Sequence, residues 1–326
     1  MADLRILVVR LGAMGDIVHT LPAAATLKHS FPHCRLAWVV EPRWAPLLEG
    51  NPFLDEVILL ERTTLAGLIA SGRRLRAGRF DMAVDFQGLM KSALVASAAR
   101  PDRILGFHQT QLRERLAGLF YSHYTLAKAA HVVDRNLELA AATGASSLLH
   151  AFPLPPGAPE GALPEGAFVL ACPFAGWTAK QWPLAYYAEL AARLKQELGL
   201  ALVVNGPPQA REQLETVAGA VVHTSGVAGL LDALRRAVAV VGVDSGPIHL
   251  AAALGRPGVA VYGPTDPRRN GPYGGSIEVL RGPGARTSYK RRGLVDPSLA
   301  AITADAVFEA LRARLASCTR SAACPA

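Results

Sequence analysis

Cysteine, aromatic residues and long apolar runs are all scarce in this chain of 326 residues. Its four cysteines never form the Cys-x-x-Cys spacing of zinc or redox sites, so a disulfide scaffold and a zinc site are both unexpected. Aromatic residues make up only 6%, too few for a platform on which nucleic-acid bases stack. No stretch approaches the ~20 consecutive apolar residues of a membrane helix, and the first residues lack the zones of a signal peptide. We therefore expect a cytoplasmic protein.

Several motifs of common ligand sites are also missing. The G-x-G-x-x-G fingerprint of dinucleotide-binding enzymes is absent, which disfavours an NAD-dependent dehydrogenase. Neither an Asp-x-Asp pair nor a cluster of His, Cys and carboxylates occurs, so we expect no obligatory metal and no cofactor. The net charge of +8 indicates an anionic partner. Because the chain has no helix-turn-helix signature and no dense basic run, that partner is not expected to be nucleic acid.

Short apolar runs alternate with longer amphipathic segments, which predicts parallel sheets covered by helices on both faces. Five prolines interrupt this alternation within residues 151–166, the predicted linker. The sequence thus predicts an α/β protein with two Rossmann-like doubly wound domains facing a central cleft, residues 1–155 and 156–316, and a mobile tail over 317–326. The predicted helices include residues 15–31, 42–49 and 208–219.

A loop with two glycines joins the first predicted strand to the first helix. Gly12 and Gly15 permit a tight turn, and Asp16 follows directly. Asp16 has two open interpretations: a helix-capping residue worth ~1 kcal/mol, or a carboxylate that accepts a proton from a substrate hydroxyl. His19 lies one turn later, and for a single histidine a structural hydrogen-bonding role is the commoner one.

Three loops of the second half follow predicted strands and carry candidate ligand-binding residues. Lys180 follows the first of these strands, Asp244, Ser245 and Gly246 precede a helix after another, and Thr265 follows a third. Because parallel strands place their carboxyl ends at one edge, these loops are expected to converge there. A lysine beside a helix amino end suits a nucleotide diphosphate. A solvated lysine and an ordinary helix cap are the alternatives.

Four segments of the chain resemble glycosyltransferase family 9, the bacterial lipopolysaccharide heptosyltransferases. They are Met14–Pro22, Asp85–Ser92, Lys180–Pro183, and Asp244–Leu250 together with Tyr262–Pro267. The residues His19–Pro22 favour the heptosyltransferase I branch of the family over heptosyltransferase II. The resemblance implies a GT-B fold, with an acceptor-binding first domain and a nucleotide-sugar-binding second domain.

The same resemblance implies an activity and assigns residues to it. It implies inverting transfer of L-glycero-D-manno-heptose from ADP-heptose to Kdo of Kdo-lipid A, by an enzyme peripheral on the inner face of the inner membrane. Asp16 corresponds to the catalytic base, Lys180 and Asp244 to donor-binding residues, and Gly246 and His249 lie in the same donor motif. Cleft closure is expected to accompany catalysis. The alternatives are a family member with another sugar or acceptor, and a non-catalytic nucleotide-binding protein.

Basic residues of the first domain are candidates for binding the anionic acceptor. Residues 62–80 contain five arginines and no acidic residue, although a solvated helix face would have the same composition. The predicted acceptor-binding residues are Gly15, His19, Arg73, Arg74, Arg76, Lys91 and Arg113. The predicted donor-binding residues are Lys180, Asp244, Ser245, Gly246, His249 and Thr265.

Overall fold

The computed structural model describes residues 4–288 and 293–320. The chain divides between Pro155 and Pro156 into two compact units, named here unit 1 and unit 2. Each unit has its own parallel sheet and its own buried core.

Unit 1 contains one six-stranded sheet. Its strands are β1 (Arg5–Val9), β2 (Arg35–Val40), β3 (Glu56–Leu59), β4 (Met82–Asp85), β5 (Arg103–Phe107) and β6 (His123–Thr125). They lie in the order β3-β2-β1-β4-β5-β6, and all neighbours run parallel. The central strands are almost wholly buried and apolar because helices cover both faces of the sheet.

The helices of unit 1 differ from the prediction in three places. The helices are α1 (Met14–Val18), α2 (Leu21–Ser30), α3 (Leu65–Ala77), α4 (Met90–Ala98) and α5 (Val132–Ala141). The predicted helix 15–31 is broken after Val18, because Pro22 has no N–H to donate to the Val18 carbonyl. Residues 42–49 form only a 3₁₀ helix over Pro42–Leu47, which contains a second proline, Pro46. Strand β6 and helix α5 were not predicted.

Unit 2 repeats the architecture of unit 1. Its strands are β7 (Phe168–Cys172), β8 (Ala201–Gly206), β9 (Val221–Thr224), β10 (Ala239–Val243), β11 (Gly258–Tyr262) and β12 (Ile277–Arg281). They lie in the order β12-β11-β10-β7-β8-β9, again all parallel. The sequence did not predict β12, which is only partly buried at the sheet edge.

The helices of unit 2 also correct two predictions. The helices are α6 (Leu184–Arg193), α7 (Arg211–Glu215), α8 (Val227–Arg236), α9 (Gly246–Ala253), α10 (Pro267–Asn270), α11 (Pro297–Ala300) and α12 (Ala304–Arg320). The predicted helix 208–219 is limited to a 3₁₀ turn and the short α7. Helix α12 continues to Arg320 because no glycine or proline interrupts it, so residues 317–320 are helical. Residues 321–326 of the predicted tail lie outside the described residues.

The strand order is the same in both units and fixes where a ligand crevice can form. In each unit the chain fills one half of the sheet and then returns to the middle to fill the other half. The reversal falls between β1 and β4 in unit 1 and between β7 and β10 in unit 2. Loops at such a point leave in opposite directions and open a crevice at the carboxyl ends of the strands.

The proline-rich segment 151–166 has no helix or strand, as predicted for a linker, but it is anchored at both ends. In unit 1, the Asn51 side-chain amide donates to the Pro153 carbonyl at 3.1 Å. In unit 2, His223 Nε2 donates to the Glu160 carbonyl at 2.5 Å, and the Gly226 N–H donates to the Glu160 carboxylate at 2.6 Å. Glu160 therefore supplies a hydrogen-bond partner at the amino end of α8.

Candidate active site

Asp16 lies at the switch point of unit 1, held by an arginine from the end of β1. Arg10 Nη2 is 2.7 Å from Asp16 Oδ1, and Arg10 Nη1 donates to the Phe86 carbonyl at 2.6 Å. The Arg10 side chain is 8% exposed, whereas that of Asp16 is 41% exposed. Asp16 therefore presents an accessible carboxylate at the carboxyl edge of the sheet.

The loop after β4 is anchored by a buried carboxylate, Asp85. Its Oδ1 accepts hydrogen bonds from the N–H groups of Gln87 and Gly88, and its Oδ2 accepts from the hydroxyls of Ser92 and Tyr121. Burial raises the pKa of the Asp85 carboxyl, against the opposing effect of these four donors. Asp85 thus organises residues 86–88 and is too deep to meet a substrate itself.

Two glycines make this anchor possible. Gly88 adopts φ +68°, a left-handed conformation that other residues rarely take. A Cβ at Gly106 would lie 2.3 Å from the Tyr121 ring, so only glycine lets that ring pass over β5 to Asp85.

A second buried carboxylate in unit 1, Glu41, was missed by sequence reasoning. Its oxygens lie 3.0 Å from Arg43 Nη2, 2.9 Å from Arg62 Nη2 and 3.4 Å from Lys91 Nζ. Burial would raise the pKa of Glu41, but Lys91, Arg62 and Arg43 outweigh it and hold the pKa below its ordinary value. The signal that could have found it is an acidic residue directly after β2, at the same sheet edge as Asp16.

The other predicted acceptor residues are dispersed over unit 1. Lys91 belongs to the Glu41 cluster, while Arg73 and Arg113 are exposed on the surface. Arg74 pairs with Glu56 at 3.2 Å, and Arg76 Nε donates to the Ala98 carbonyl at 3.4 Å. The structure therefore places the three predicted arginines of α3 on one helix, with different neighbours.

His19 and Gly15 stand close to Asp16 along the chain but differ in accessibility. His19 is only 3% exposed, and its ring packs edge-on against His131 with 5.5 Å between centroids. Its carbonyl accepts a hydrogen bond from Asn136 at 3.0 Å. Gly15 is part of α1 and only partly buried.

Lys180 and Asp244 meet at the switch point of unit 2. Lys180 Nζ lies 2.5 Å from Asp244 Oδ2, and the Thr265 hydroxyl donates to the same oxygen at 2.6 Å. His249 Nε2 lies 3.7 Å from Asp244 Oδ1. Three loops that are distant in the sequence thus converge on one carboxylate.

The charged groups of this cluster keep Asp244 ionised in spite of its burial. Burial would raise the pKa of Asp244, but the neighbouring His249 and Lys180 hold it well below its ordinary range. Lys180 Nζ also lies 4.5 Å from the centroid of the Trp177 ring, a cation–π distance. The ammonium is therefore fixed from two sides above the end of β7.

Ser245 and Gly246 form the amino end of α9 beside this cluster. Ser245 has extended backbone angles, and its side chain does not cap the helix. Within the described residues, its buried hydroxyl oxygen has no hydrogen-bond partner. The amino end of α9 therefore offers N–H groups and a hydroxyl next to Lys180, a combination suited to anions.

The comparisons with known proteins are consistent across sequence and structure. The family model described as glycosyltransferase family 9 (heptosyltransferase) matches residues 68–295. Lipopolysaccharide heptosyltransferase 1 of Pseudomonas aeruginosa is 31% identical over 84% of this chain and 82% of that protein. The chain belongs to glycosyltransferase family 9. It is therefore an enzyme, a glycosyltransferase, as predicted.

Other members of the family support the same assignment. Lipopolysaccharide heptosyltransferase 1 of Escherichia coli K12 is 32% identical over 86% of this chain and 94% of its own length. The structure of E. coli heptosyltransferase WaaC with ADP superposes with a TM-score of 0.78 at 28% identity, covering 95% of this chain and all of that one. The structure of the same enzyme with ADP-2-deoxy-2-fluoro heptose superposes with a TM-score of 0.77, covering 95% of this chain and 99% of that one. The predicted GT-B fold, with two parallel sheets flanked by helices, is confirmed.

Among the described residues, no helix combines the length and apolar character that crossing a membrane requires. Over residues 4–288 and 293–320, no three side chains of His, Cys, Asp or Glu gather as metal ligands would.

Proposed function

We propose that this glycosyltransferase moves heptose from ADP-heptose to Kdo of Kdo-lipid A with inversion at the anomeric carbon. The observation that carries the proposal is the Lys180–Asp244–Thr265 cluster at the switch point of unit 2, in a family member similar to an enzyme solved with ADP. The relatives of Pseudomonas aeruginosa and Escherichia coli reported above are both lipopolysaccharide heptosyltransferase 1, which supports Kdo-lipid A as the acceptor.

Unit 2 binds the donor in this proposal. Lys180 contacts the diphosphate, because a fixed ammonium beside a helix amino end attracts anions. Asp244 holds Lys180 in place and accepts from a sugar or ribose hydroxyl. Thr265, His249, Ser245 and Gly246 complete the donor site.

Unit 1 supplies the base. Asp16 takes the proton of an acceptor hydroxyl while the hydroxyl oxygen attacks the anomeric carbon, and the bond from that carbon to ADP breaks in the same displacement. A single displacement inverts the anomeric configuration. Lys180 and the amino end of α9 offset the charge that develops on the departing ADP.

The acceptor is anionic and carried by lipid, and the surface of α3 supports contact with it. The first turns of this helix expose Leu65, Leu68 and Ile69 to solvent at 75%, 50% and 47%, and the later turns expose Arg73 and Arg76. Apolar residues next to arginines suit the surface of a membrane with anionic lipids. The enzyme thus acts as a peripheral protein at the inner face of the inner membrane.

One experiment tests the reaction directly. The purified protein is incubated with ADP-heptose and Kdo-lipid A, and the product is detected by mass. We expect an added heptose on the acceptor and release of ADP, with a lower rate for ADP-mannose run in parallel. An unchanged acceptor mass with ADP-heptose, or a faster reaction with ADP-mannose, would overturn the proposed donor.

Membrane contact needs a separate measurement. Co-sedimentation is compared for vesicles of phosphatidylethanolamine alone and with phosphatidylglycerol, using the wild type, a variant with Leu65, Leu68 and Ile69 changed to Ser, and Leu148→Ser as an exposed control. We expect only the triple variant to lose binding to the anionic vesicles. Equal binding by all three proteins would remove α3 from the membrane-facing surface.

A further inference from the structure

The geometry points to Arg10 as the positioning residue that fixes the catalytic carboxylate of Asp16 and leaves one defined oxygen for the acceptor hydroxyl. The inference rests on the proposed role of Asp16 as the base and adds how that base is held. Arg10 itself touches no reacting atom, because it is buried behind Asp16 at the end of β1.

The Arg10 guanidinium has two fixed acceptors. One amino group lies 2.7 Å from Asp16 Oδ1, and the other donates to the Phe86 carbonyl at 2.6 Å. A side chain only 8% exposed has little water to replace either partner. Without Asp16, the buried Arg10 cation would keep only the Phe86 carbonyl as a partner. The ion pair between Arg10 and Asp16 is therefore favoured over its separation.

The surroundings of Arg10 are anchored to the sheet as well. The Arg10 carbonyl accepts from the buried Trp38 indole at 3.0 Å, and the next N–H, of Leu11, donates to Gln87 Oε1 at 2.8 Å. Gln87 and Phe86 belong to the loop organised by Asp85, which bridges β1 and β4. The position of Asp16 is therefore set by the sheet rather than by the short helix α1.

The two oxygens of Asp16 differ as a result. Oδ1 is occupied by Arg10, while Oδ2 has a long contact of 3.4 Å with the Ala13 N–H. Oδ2 is thus the oxygen that receives the acceptor proton. When it does, Asp16 becomes neutral, the proton stays on Oδ2, and the Arg10 cation keeps its bond to Phe86.

The test measures kcat and KM for Arg10→Gln, Arg10→Lys and a surface control, Arg35→Gln. Arg35 pairs with Glu56 on the same unit and is 53% exposed. For Arg10→Gln we expect kcat to fall about tenfold or more, with KM for ADP-heptose within about twofold of the wild-type value. Arg10→Lys should restore part of kcat.

A double-mutant cycle separates positioning from general destabilisation. In the background of Asp16→Asn, Arg10→Gln should cost no further activity, because the pair acts as a unit. Arg10→Met removes the same charge and puts an apolar side chain in its place. It is used if Arg10→Gln does not fold. Calorimetry with ADP reports whether unit 2 is intact in each protein.

The outcomes are distinct. A kcat loss that is not rescued by Lys and adds fully to the loss in Asp16→Asn would overturn the inference. Wild-type activity within about twofold in Arg10→Gln would do the same. Failure of the proposed function would appear differently, as a wild-type protein that transfers no heptose from ADP-heptose.

Discussion

Asp16 and Asp244 are both carboxylates at the carboxyl edge of a sheet, yet their environments assign them different chemistry. Asp16 is 41% exposed with one oxygen open, whereas Asp244 is buried and held by Lys180, Thr265 and His249. A proton acceptor must be reachable by its substrate, while a buried, strongly ionised group serves to orient its neighbours. The exposure of each side chain thus supports the proposed roles of Asp16 as the base and Asp244 as a donor-site residue.

Replacing Asp16 by Asn should abolish most turnover without affecting the donor site. A general base contributes ~10²–10⁴-fold in rate, so we expect a loss in kcat of that order. The affinity for ADP, measured by calorimetry, should stay at the wild-type value because the donor residues lie in unit 2. A variant with normal kcat, or with lost ADP binding, would make Asp16 a structural residue.

Lys180→Ala should weaken ADP binding by ~1–3 kcal/mol, because a charge-assisted hydrogen bond to the diphosphate is lost. Asp244→Ala should weaken it as well, since Lys180 and Thr265 lose their common partner. Lys195→Ala, an exposed lysine of the same unit, is the matched control. Calorimetric affinities that are equal in all four proteins would show that the donor site lies elsewhere.

At the scale of elements, the loops that follow strands carry the candidate chemistry, and each is braced by a buried polar contact. Arg10 joins the loops after β1 and β4, Lys180 joins those after β7 and β10, and Glu41 gathers cations around the end of β2. Because these strands are buried and parallel, the loop ends cannot shift without disturbing the sheet. The strands therefore provide the rigidity and the loops the reactive groups.

The Glu41 cluster should stabilise unit 1 in a pH-dependent way. The pKa of Glu41 is lowered in the folded state. The stability that the ionised Glu41 contributes is therefore present above the unfolded pKa of ~4.3 and is lost as the pH falls through the folded value. Glu41→Gln should cost about 1 kcal/mol at pH 7, because solvent screens its three partly exposed partners. Urea unfolding at pH 7 and near pH 3 checks this, and an equal loss at both pH values would contradict it.

Neutralising Arg73, Arg74 and Arg76 together should raise KM for Kdo-lipid A and leave KM for ADP-heptose unchanged. Arginines of α3 match the carboxylates and phosphates of the acceptor, and screening by salt should make the defect smaller. The control changes three exposed arginines of unit 2, namely Arg211, Arg236 and Arg312, which alters the net charge equally. If both triple variants raise the acceptor KM alike at low ionic strength, the effect belongs to net charge and not to α3.

At the scale of the whole molecule, the proposal gives two units with one strand order two different halves of the reaction. The order places a switch point in each sheet, and the candidate base and the candidate donor cluster each occupy one of them. The positive charge offered to the diphosphate comes from Lys180 and the amino end of α9.

We therefore expect heptose transfer to continue in the presence of excess EDTA. The reason is that, in the proposed donor site, Lys180 and the amino end of α9 place positive charge where the ADP leaving group becomes more anionic. Turnover is measured with and without EDTA, and then with added magnesium. Complete loss with EDTA followed by recovery with magnesium would contradict this expectation.

The alternation of strands and helices, the proline-rich linker and the loops bearing Asp16, Lys180 and Asp244 were readable from the sequence. They depend on local information: apolar periodicity, glycine and proline at turns, and residues that directly follow a strand. The same local information failed for β6, which has only three residues and is largely exposed, and for β12, in which charged residues interrupt the apolar ones. It also missed the helix break before Pro22, where one absent N–H overrides the pattern.

Which side chains meet was decided only by the tertiary structure. Arg10 reaches a carbonyl 76 residues away, and Glu41 meets a lysine 50 residues away, because strand order brings those loops to one edge. The exposure of each side chain follows from the same packing. His19 is buried, Asp16 stays accessible, and Asp244 is buried where three loops meet. Local sequence determines which residues end each strand, but the pairing of distant strands determines their partners, their charges and hence their chemistry.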